Sequence, residues 1–279
     1  MTEWSIRQVL WTSWREEVRL GDTPNPAGRC ALDPPGSAKE LSDTPLSLRE
    51  RLEAVRGRVA RAAERSGRPA SEIRMIAVSK TMAPEVVLEA YHLGQREFGE
   101  NRVQEFRDKR RALAEWGEMP GARWHMIGHL QSNKAKLSVE LFDIIQSVDS
   151  AKLATLLHRN AEEMGRRLPV LLQVDFSSLP QRSGFTTQEL ESMAAELVAL
   201  PHLEIQGLMT VAPLGLDEES LRSVFRRLRL LRDRLAVRYP EAEWRHLSMG
   251  MSDDFEVAIE EGSTIVRIGR AIFGDRPHQ

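Results

Sequence analysis

Short apolar runs alternate with helical patterns along most of this chain, and this alternation limits the folds that are open to it. From Ser47 onward the sequence contains apolar runs at 73–78, 96–98, 124–127, 142–148, 169–174, 203–209, 243–247 and 264–268. Helical patterns separate them, at 84–93, 101–115, 132–138, 150–165, 186–199, 217–238 and 252–261, and another runs from Ser47 to Gly67. Eight strands alternating with helices predict an α/β fold, a (β/α)₈ or TIM barrel.

The residues before this pattern differ from it in composition. Residues 21–45 are rich in Pro, Gly, Asp, Ser and Thr, which predicts a linker without a core of its own. The segment ahead of the linker fits a short amphipathic helix with tryptophans on one face, namely Trp4, Trp11 and Trp14. It is either a dispensable extension or a helix that binds a membrane surface or a partner, although its polar face lacks the basic residues that favour membranes. We expect residues 1–45 to be a poorly ordered extension and residues 46–279 to form the barrel as a single domain.

Charge and cysteine content narrow the class of protein. The 39 basic and 41 acidic side chains give a formal charge of -2, which offers no electrostatic case for nucleic acid or an anionic membrane. The arginines within 222–238 alternate with leucines, as expected of a solvated helix face. Cys30 is the only cysteine, so neither an intramolecular disulfide nor a cysteine metal cage is possible. No stretch approaches the roughly 20 apolar residues of a membrane span, and we expect a cytoplasmic protein.

A barrel of this type carries its chemistry on the loops that follow its strands. Lys80 follows the first strand. Burial among apolar neighbours disfavours the charged form of an amine, and a neutral amine can attack a carbonyl carbon. The other residues that follow strands are Gly99-Glu100-Asn101, the segment 128–134, Met209-Thr210, Ser248-Met249-Gly250 and Gly269-Arg270.

The loops after strands seven and eight predict a phosphate site. Such barrels often bind phosphate there, through backbone N–H groups and a helix amino terminus. Ser248 supplies a hydroxyl, and Gly250 and Gly269 let an anion approach the backbone. Asp253 and Asp254 would repel a phosphate, so we expect them to cap the helix that they open. Together with Lys80, these loops predict a phosphorylated carbonyl compound bound as an imine.

Two histidines flank the end of the third strand, His125 and His129. No cysteine and no His-Glu-x-x-His spacing accompanies them. We therefore expect structural hydrogen bonding near the rim from them, and we predict no metal site.

Five segments carry a more specific pattern. They are 77–81 (AVSKT), 98–105 (FGENRVQE), 124–134 (WHMIGHLQSNK), 247–254 (LSMGMSDD) and 266–274 (VRIGRAIFG). In this order, over about residues 46–275, they resemble the pyridoxal phosphate homeostasis protein family. The resemblance implies the fold-type III barrel of alanine racemase amino-terminal domains, and it implies that Lys80 holds pyridoxal 5'-phosphate (PLP) as a Schiff base.

The resemblance also assigns roles to other residues. Those that match the phosphate loops are Ser248, Gly250, Gly269 and Arg270, the last two through backbone N–H groups. Arg267 matches the arginine that faces the pyridine nitrogen. A guanidinium keeps its proton at ordinary pH, so it can only donate to that nitrogen and leaves the ring a poor electron sink. Asn101 and Met209 match residues that line the ring. Segment 175–182 departs from the family pattern, so no role is assigned to it.

Two functions remain open at this point. In the first, the protein is a monomeric carrier in vitamin B6 homeostasis that buffers PLP and delivers it to apoenzymes. In the second, it is an active PLP-dependent enzyme such as an amino-acid racemase. Two-base racemisation needs a second acid or base opposite the lysine, and the only tyrosines, Tyr91 and Tyr239, lie in helical segments. We therefore favour the carrier and assign no catalytic residue.

Overall fold

The described part of the chain is a closed barrel of eight parallel strands. The computed structural model describes residues 46–177 and 183–274, so the extension predicted for residues 1–45 lies outside the described residues, as does 178–182. The strands are β1 (Arg74–Val78), β2 (Glu97–Glu100), β3 (Arg123–Met126), β4 (Ile144–Val148), β5 (Leu168–Gln173), β6 (Leu203–Met209), β7 (His246–Ser248) and β8 (Ile265–Ile268). Each strand pairs with the next, and β1 pairs with β8 to close the barrel. The predicted α/β barrel is confirmed.

Helices surround the described strands. They are α1 (Leu48–Arg65), α2 (Pro84–His92), α3 (Val103–Trp116), α4 (Ala135–Leu141), α5 (Ala151–Glu163), α6 (Thr187–Val198), α7 (Glu218–Arg238), α8 (Phe255–Glu260) and α9 (Arg270–Phe273). Short 3-10 turns at Ala70–Glu72 and Ser132–Lys134 precede β1 and α4. None of the described helices is both long enough and apolar enough to cross a membrane.

The amino-terminal helix of the barrel forms for local reasons. Ser47 and Glu50 form a capping box, in which each side chain accepts from the other residue's backbone N–H. Apolar residues recur at helical spacing along α1 and are all buried, namely Leu48, Leu52, Val55 and Val59. Arg51 donates to the carbonyl of Ile272 over 2.6 Å, which ties α1 to α9. This helix therefore covers the barrel where its first and last strands meet.

The seventh strand differs most from its prediction. It was predicted at 243–247, but β7 begins at His246 and includes Ser248. Trp244 has a φ of 41°, which no strand residue adopts, and its indole donates to the carbonyl of Tyr239 over 2.8 Å. At 243–245 only Trp244 is apolar and buried, and it lies in the segment before the strand rather than in the strand itself. The shift moves Ser248 from a loop into the barrel wall.

The arginines of α7 are more constrained than a solvated face would be. Arg222 pairs with Glu260 at 2.6 Å, and Arg226 pairs with Glu261 at 3.1 Å. Both glutamates lie at the end of α8. The arginine repeat therefore links α7 to α8 in this fold.

Candidate functional site

All the strand-following segments open at one rim, because the strands are parallel. Lys80 lies two residues beyond the end of β1 and is half-buried. The neighbouring loop begins at Asn101, and the N–H of Ser79 donates to the carbonyl of Gly99 over 3.0 Å. On the other side of β1, Arg267 lies on the neighbouring strand β8, and Ser248 lies on β7 beside it. The structure thus brings most of the predicted site residues to one rim.

The turn that carries Lys80 is held by helix α3. Lys109 donates to the carbonyl of Ser79 over 2.7 Å, and Glu105 accepts from the N–H of Thr81 over 2.5 Å. Thr81 has a φ of 64°, a conformation that costs a non-glycine residue about 1 kcal/mol or more. Contacts on both sides of Lys80 therefore fix its backbone.

A buried ion pair lies behind this turn. Glu100 Oε1 accepts from Lys109 Nζ over 2.7 Å and from Ser79 Oγ over 2.8 Å. Its other oxygen, Oε2, is buried without a hydrogen-bond partner in the described structure. Burial raises the pKa of Glu100, although Lys109 and Ser79 act in the opposite direction. No sequence pattern predicts this pair. The spacing of four between Glu105 and Lys109 indicates only the longer contact between those two residues, at 3.8 Å on α3.

Arg267 is fixed inside the barrel by its side chain. Its Nη1 donates to Ser248 Oγ over 2.6 Å and its Nη2 donates to the carbonyl of Thr210 over 2.7 Å. Burial lowers the pKa of Arg267 to about 10, partly offset by Asp254, so the group is still charged at neutral pH. Ser248 in turn donates to Gln146 Oε1 over 2.6 Å. The Ser248 hydroxyl, predicted for a phosphate loop, is thus engaged in the barrel interior.

The loops after β7 and β8 meet at a different serine. Ser252 Oγ accepts from the N–H of Gly269 over 3.3 Å and from the N–H of Ala271 over 3.4 Å. Ser252 is not among the predicted site residues, although it stands in the same motif as Ser248. Gly250, with a φ of 96°, is needed where it lies, because a Cβ there would come within 2.6 Å of Ala258 Cβ. These loops thus place the backbone N–H groups of 269–271 beside the hydroxyl of Ser252.

The aspartates of this region do not cap α8 as predicted. Asp254 is the residue before the helix but makes no side-chain cap bond, and its Oδ1 accepts from the N–H of Met251 over 2.5 Å. Asp253 instead pairs with the exposed side chain of Arg270. The carboxylate of Asp254 therefore closes the turn ahead of the helix. The prediction that they cap the free N–H groups of α8 is wrong.

The predicted ring-lining residues have different surroundings. Met209 ends β6 and packs in an apolar cluster inside the barrel with Ile76, Leu171 and Ile265. Asn101 is half-buried, and its Oδ1 is buried without a hydrogen-bond partner in the described structure. A Cβ on Gly128 would lie 2.3 Å from the carbonyl oxygen of Asn101, so the loops after β2 and β3 touch through their backbones.

The two histidines make hydrogen bonds in different places. His129 lies at the rim, where its Nδ1 is 2.9 Å from both Asp149 Oδ2 and Ser183 Oγ. His125 is fully buried inside the barrel rather than near the rim, between Glu97 and Gln146. Across residues 46–177 and 183–274, no group of three or more His, Cys, Asp or Glu side chains could hold a metal ion.

The closed barrel and the residues at its rim define the class of protein to which this chain belongs. It is a (β/α)₈ barrel of the alanine racemase amino-terminal type. The family model described as alanine racemase, N-terminal domain, matches residues 51–277. The pyridoxal phosphate homeostasis protein of Vibrio cholerae is 41% identical over 232 residues, which cover 83% of this chain and 98% of that protein. The protein of the same name from Escherichia coli is 43% identical over 230 residues, which cover 81% and 96%. The chain belongs to the pyridoxal phosphate homeostasis protein family.

A solved structure agrees with this assignment. PipY of Synechococcus elongatus, determined with PLP bound, is 39% identical to this chain. It superposes with a TM-score of 0.72, and the match covers 82% of this chain and all of PipY. The family resemblance that the five segments indicated is confirmed.

Proposed function

We propose that this chain binds PLP as a Schiff base on Lys80 and acts in vitamin B6 homeostasis by buffering or delivering the cofactor. The observation that carries the proposal is the position of Lys80, two residues beyond β1 in a turn whose backbone is fixed by α3. The names of the relatives from V. cholerae and E. coli and the PLP bound to PipY support the same cofactor. When bound, PLP supplies an aldehyde that condenses with an amine.

The rim residues fit PLP chemically. Lys80 supplies the amine, and the backbone N–H groups of the loop 269–271 beside the Ser252 hydroxyl suit a phosphate. The unsatisfied Asn101 Oδ1 is a buried hydrogen-bonding group that a ligand would satisfy. Buried polar atoms without partners are uncommon in folded proteins, which favours a ligand beside this loop.

We assign the remaining roles as follows. Gly269 and Arg270 would hold the phosphate through their backbone N–H groups, with Gly250 shaping the loop beside them. Arg267 would donate to the pyridine nitrogen and cannot protonate it, since the guanidinium stays charged. Met209 would line the ring together with Asn101. For Ser248 we propose a changed role, in which its hydroxyl holds Arg267 rather than the phosphate.

The carrier function is favoured over a racemase by the position of the tyrosines. The hydroxyl of Tyr91, on α2, donates to the carbonyl of Pro120 over 3.0 Å, and Tyr239 follows the last residue of α7. Neither lies in a loop that follows a strand, where a second base would be needed. Incubating the PLP-loaded protein with L-alanine or L-serine tests this choice, because turnover at ordinary enzyme rates would contradict the carrier.

Trapping of the Schiff base tests the binding proposal. Borohydride should fix PLP covalently on the peptide that contains Lys80, and mass spectrometry would identify the residue. Lys80→Ala should lose the imine absorbance and the adduct. Lys134→Ala is the matched control, because Lys134 is also a half-buried lysine in a segment that follows a strand. Full imine absorbance in Lys80→Ala would contradict the assignment.

Delivery and assembly need separate measurements. We propose that the chain passes PLP to apoenzymes and works as a monomer in the cytoplasm. Transfer is tested by adding the loaded protein to an apoenzyme in the presence of a phosphatase that destroys free PLP. Activity should return faster than with an equal amount of free PLP. Sedimentation of the loaded protein should give one species with the mass of a single chain.

A further inference from the structure

A hydrogen-bonded chain of side chains crosses the interior of the barrel. Such interiors are mostly filled with branched apolar residues, but here polar side chains from β2, β3, β4, β7 and β8 touch one another. We call them the interior chain: Glu97, His125, Gln146, Ser248 and Arg267. Successive contacts measure 2.6, 2.9, 2.6 and 2.6 Å, and Arg267 also reaches the carbonyl of Thr210. Four of the five are buried, and Glu97 is half-buried.

The donor and acceptor groups of these side chains allow only one direction for the hydrogen bonds along the interior chain. Arg267 can only donate, so the Ser248 oxygen accepts from it. The Ser248 hydroxyl makes one further contact in the described structure, to Gln146, and must donate there. The amide oxygen of Gln146 therefore faces Ser248, and its amide nitrogen donates to His125 Nδ1. His125 then carries its proton on Nε2 and donates to Glu97.

This direction requires a neutral His125. Burial lowers its pKa, with Arg123 and Arg74 acting in the same direction, whereas Glu97 raises it. Burial also raises the pKa of Glu97, but His125, Arg74 and Arg123 together leave it below its ordinary value. His246 on β7 also lies close enough to interact with His125. A neutral imidazole beside an ionised Glu97 is the state that these groups favour.

We propose that His125 and Gln146 are positioning residues for Arg267, because they fix the Ser248 hydroxyl that receives its guanidinium. A proton on His125 Nδ1 would turn the imidazole from acceptor to donor. Gln146 would have to rotate its amide, and its nitrogen would then face Ser248 in place of its oxygen. The inference rests on the proposed function, in which Arg267 meets the pyridine nitrogen of PLP. The electronic state of the bound cofactor would thus depend on a histidine inside the barrel.

The first test measures the tautomer directly in unmodified protein. In the full chain labelled with ¹⁵N-histidine, His125 should be protonated on Nε2 and unprotonated on Nδ1 at neutral pH, with or without PLP. A proton on Nδ1 would overturn the proposal. This measurement depends neither on a variant nor on the proposed function.

The second test breaks the interior chain in PLP-loaded protein. Gln146→Met and His125→Leu each remove one link. A positive charge held opposite the ring disfavours protons elsewhere on the cofactor. Releasing Arg267 should therefore raise the midpoint of the pH titration of the bound PLP absorption by about one pH unit, the equivalent of one hydrogen bond. Because both residues act through Ser248, the double variant should shift the midpoint no further than either single variant.

The control and the contrary outcomes separate the two proposals. Ser147→Ala is matched to Gln146→Met, since Ser147 is the next residue of β4 and its buried hydroxyl has no hydrogen-bond partner in the described structure. Its midpoint should equal that of the unmodified protein. An unchanged midpoint in Gln146→Met, with the imine on Lys80 intact, would overturn the positioning role alone. Absence of the imine in unmodified protein would overturn the proposed function as well.

Discussion

The two sides of the rim are built differently. On the lysine side, Glu100, Glu105 and Lys109 bind the turn that carries Lys80 mainly through its backbone. On the arginine side, Ser248 and the carbonyl of Thr210 bind the guanidinium of Arg267 itself. An ion pair behind a turn fixes the backbone conformation of that turn. Hydrogen bonds to a guanidinium fix the orientation of a charged side chain. Damage to the lysine side should therefore cost mainly stability, and damage to the arginine side should also alter the site.

The largest effect is expected from Lys109→Met. The substitution keeps the apolar stem but leaves Glu100 buried without its cation, and breaking a buried pair in this way costs about 3–5 kcal/mol. Proton uptake by Glu100, whose pKa is already raised, should keep the loss near the lower value. Urea unfolding monitored by circular dichroism gives the free energy directly.

Lys136→Met is the matched control for that substitution. Lys136 pairs with Glu163 at 3.4 Å, but both side chains are more than half exposed, so the loss should be below about 1 kcal/mol. Equal losses in the two variants would show that burial of the Lys109 pair does not stabilise the turn.

Ser248→Ala probes the arginine side and should have a smaller effect. It leaves Arg267 Nη1 and Gln146 Oε1 without their shared partner, at a cost of about 1–3 kcal/mol. Ser147→Ala removes a buried hydroxyl that bonds nothing in the described structure and should change the free energy of unfolding by less than about 0.5 kcal/mol. If both alanine variants unfold alike, the hydroxyl of Ser248 does not hold Arg267.

The free energy of unfolding should also depend on pH, with opposite slopes from Glu100 on the lysine side and from His125 behind the arginine side. Glu100 has a raised folded pKa, so its contribution is full below about 4.5 and is lost as the pH rises above that value. His125 has a lowered folded pKa, so its contribution is full above about 6.5 and is lost as the pH falls below that value. One proton accounts for at most about 1.4 kcal/mol per pH unit.

Variants separate these two slopes. Unfolding is measured from pH 4 to pH 8, and the curve of each variant is subtracted from that of the unmodified protein. Glu100→Gln should remove the fall with rising pH, and His125→Gln should remove the rise. Parallel curves for all three proteins would mean that neither group titrates differently on folding.

The barrel could be predicted from sequence because each strand is short and buried, and parallel strands read as continuous apolar runs. The rim residues followed from the ends of those runs and from the family motifs. The ion pair of Glu100 and Lys109 could not be predicted, since its partners lie on different elements and only folding brings them together. Trp244 is apolar and was therefore counted as a strand residue, which placed the end of the strand before Ser248. For this reason the contact between Ser248 and Arg267 was not predicted. Patterns within one element are visible in a sequence, whereas contacts across the barrel are not.

Arg270→Ala should have the smallest effect and tests how the arginine side holds an anion. The Arg270 side chain is largely exposed and pairs with Asp253, so its loss should cost less than about 1 kcal/mol in stability. If only the backbone N–H groups of this loop meet the phosphate, as we propose, the PLP dissociation constant should change less than about threefold. Asp253→Ala is the control, because it frees the Arg270 side chain without removing it. Much weaker PLP binding in Arg270→Ala, with Asp253→Ala unchanged or tighter, would mean that the side chain turns from Asp253 to the phosphate.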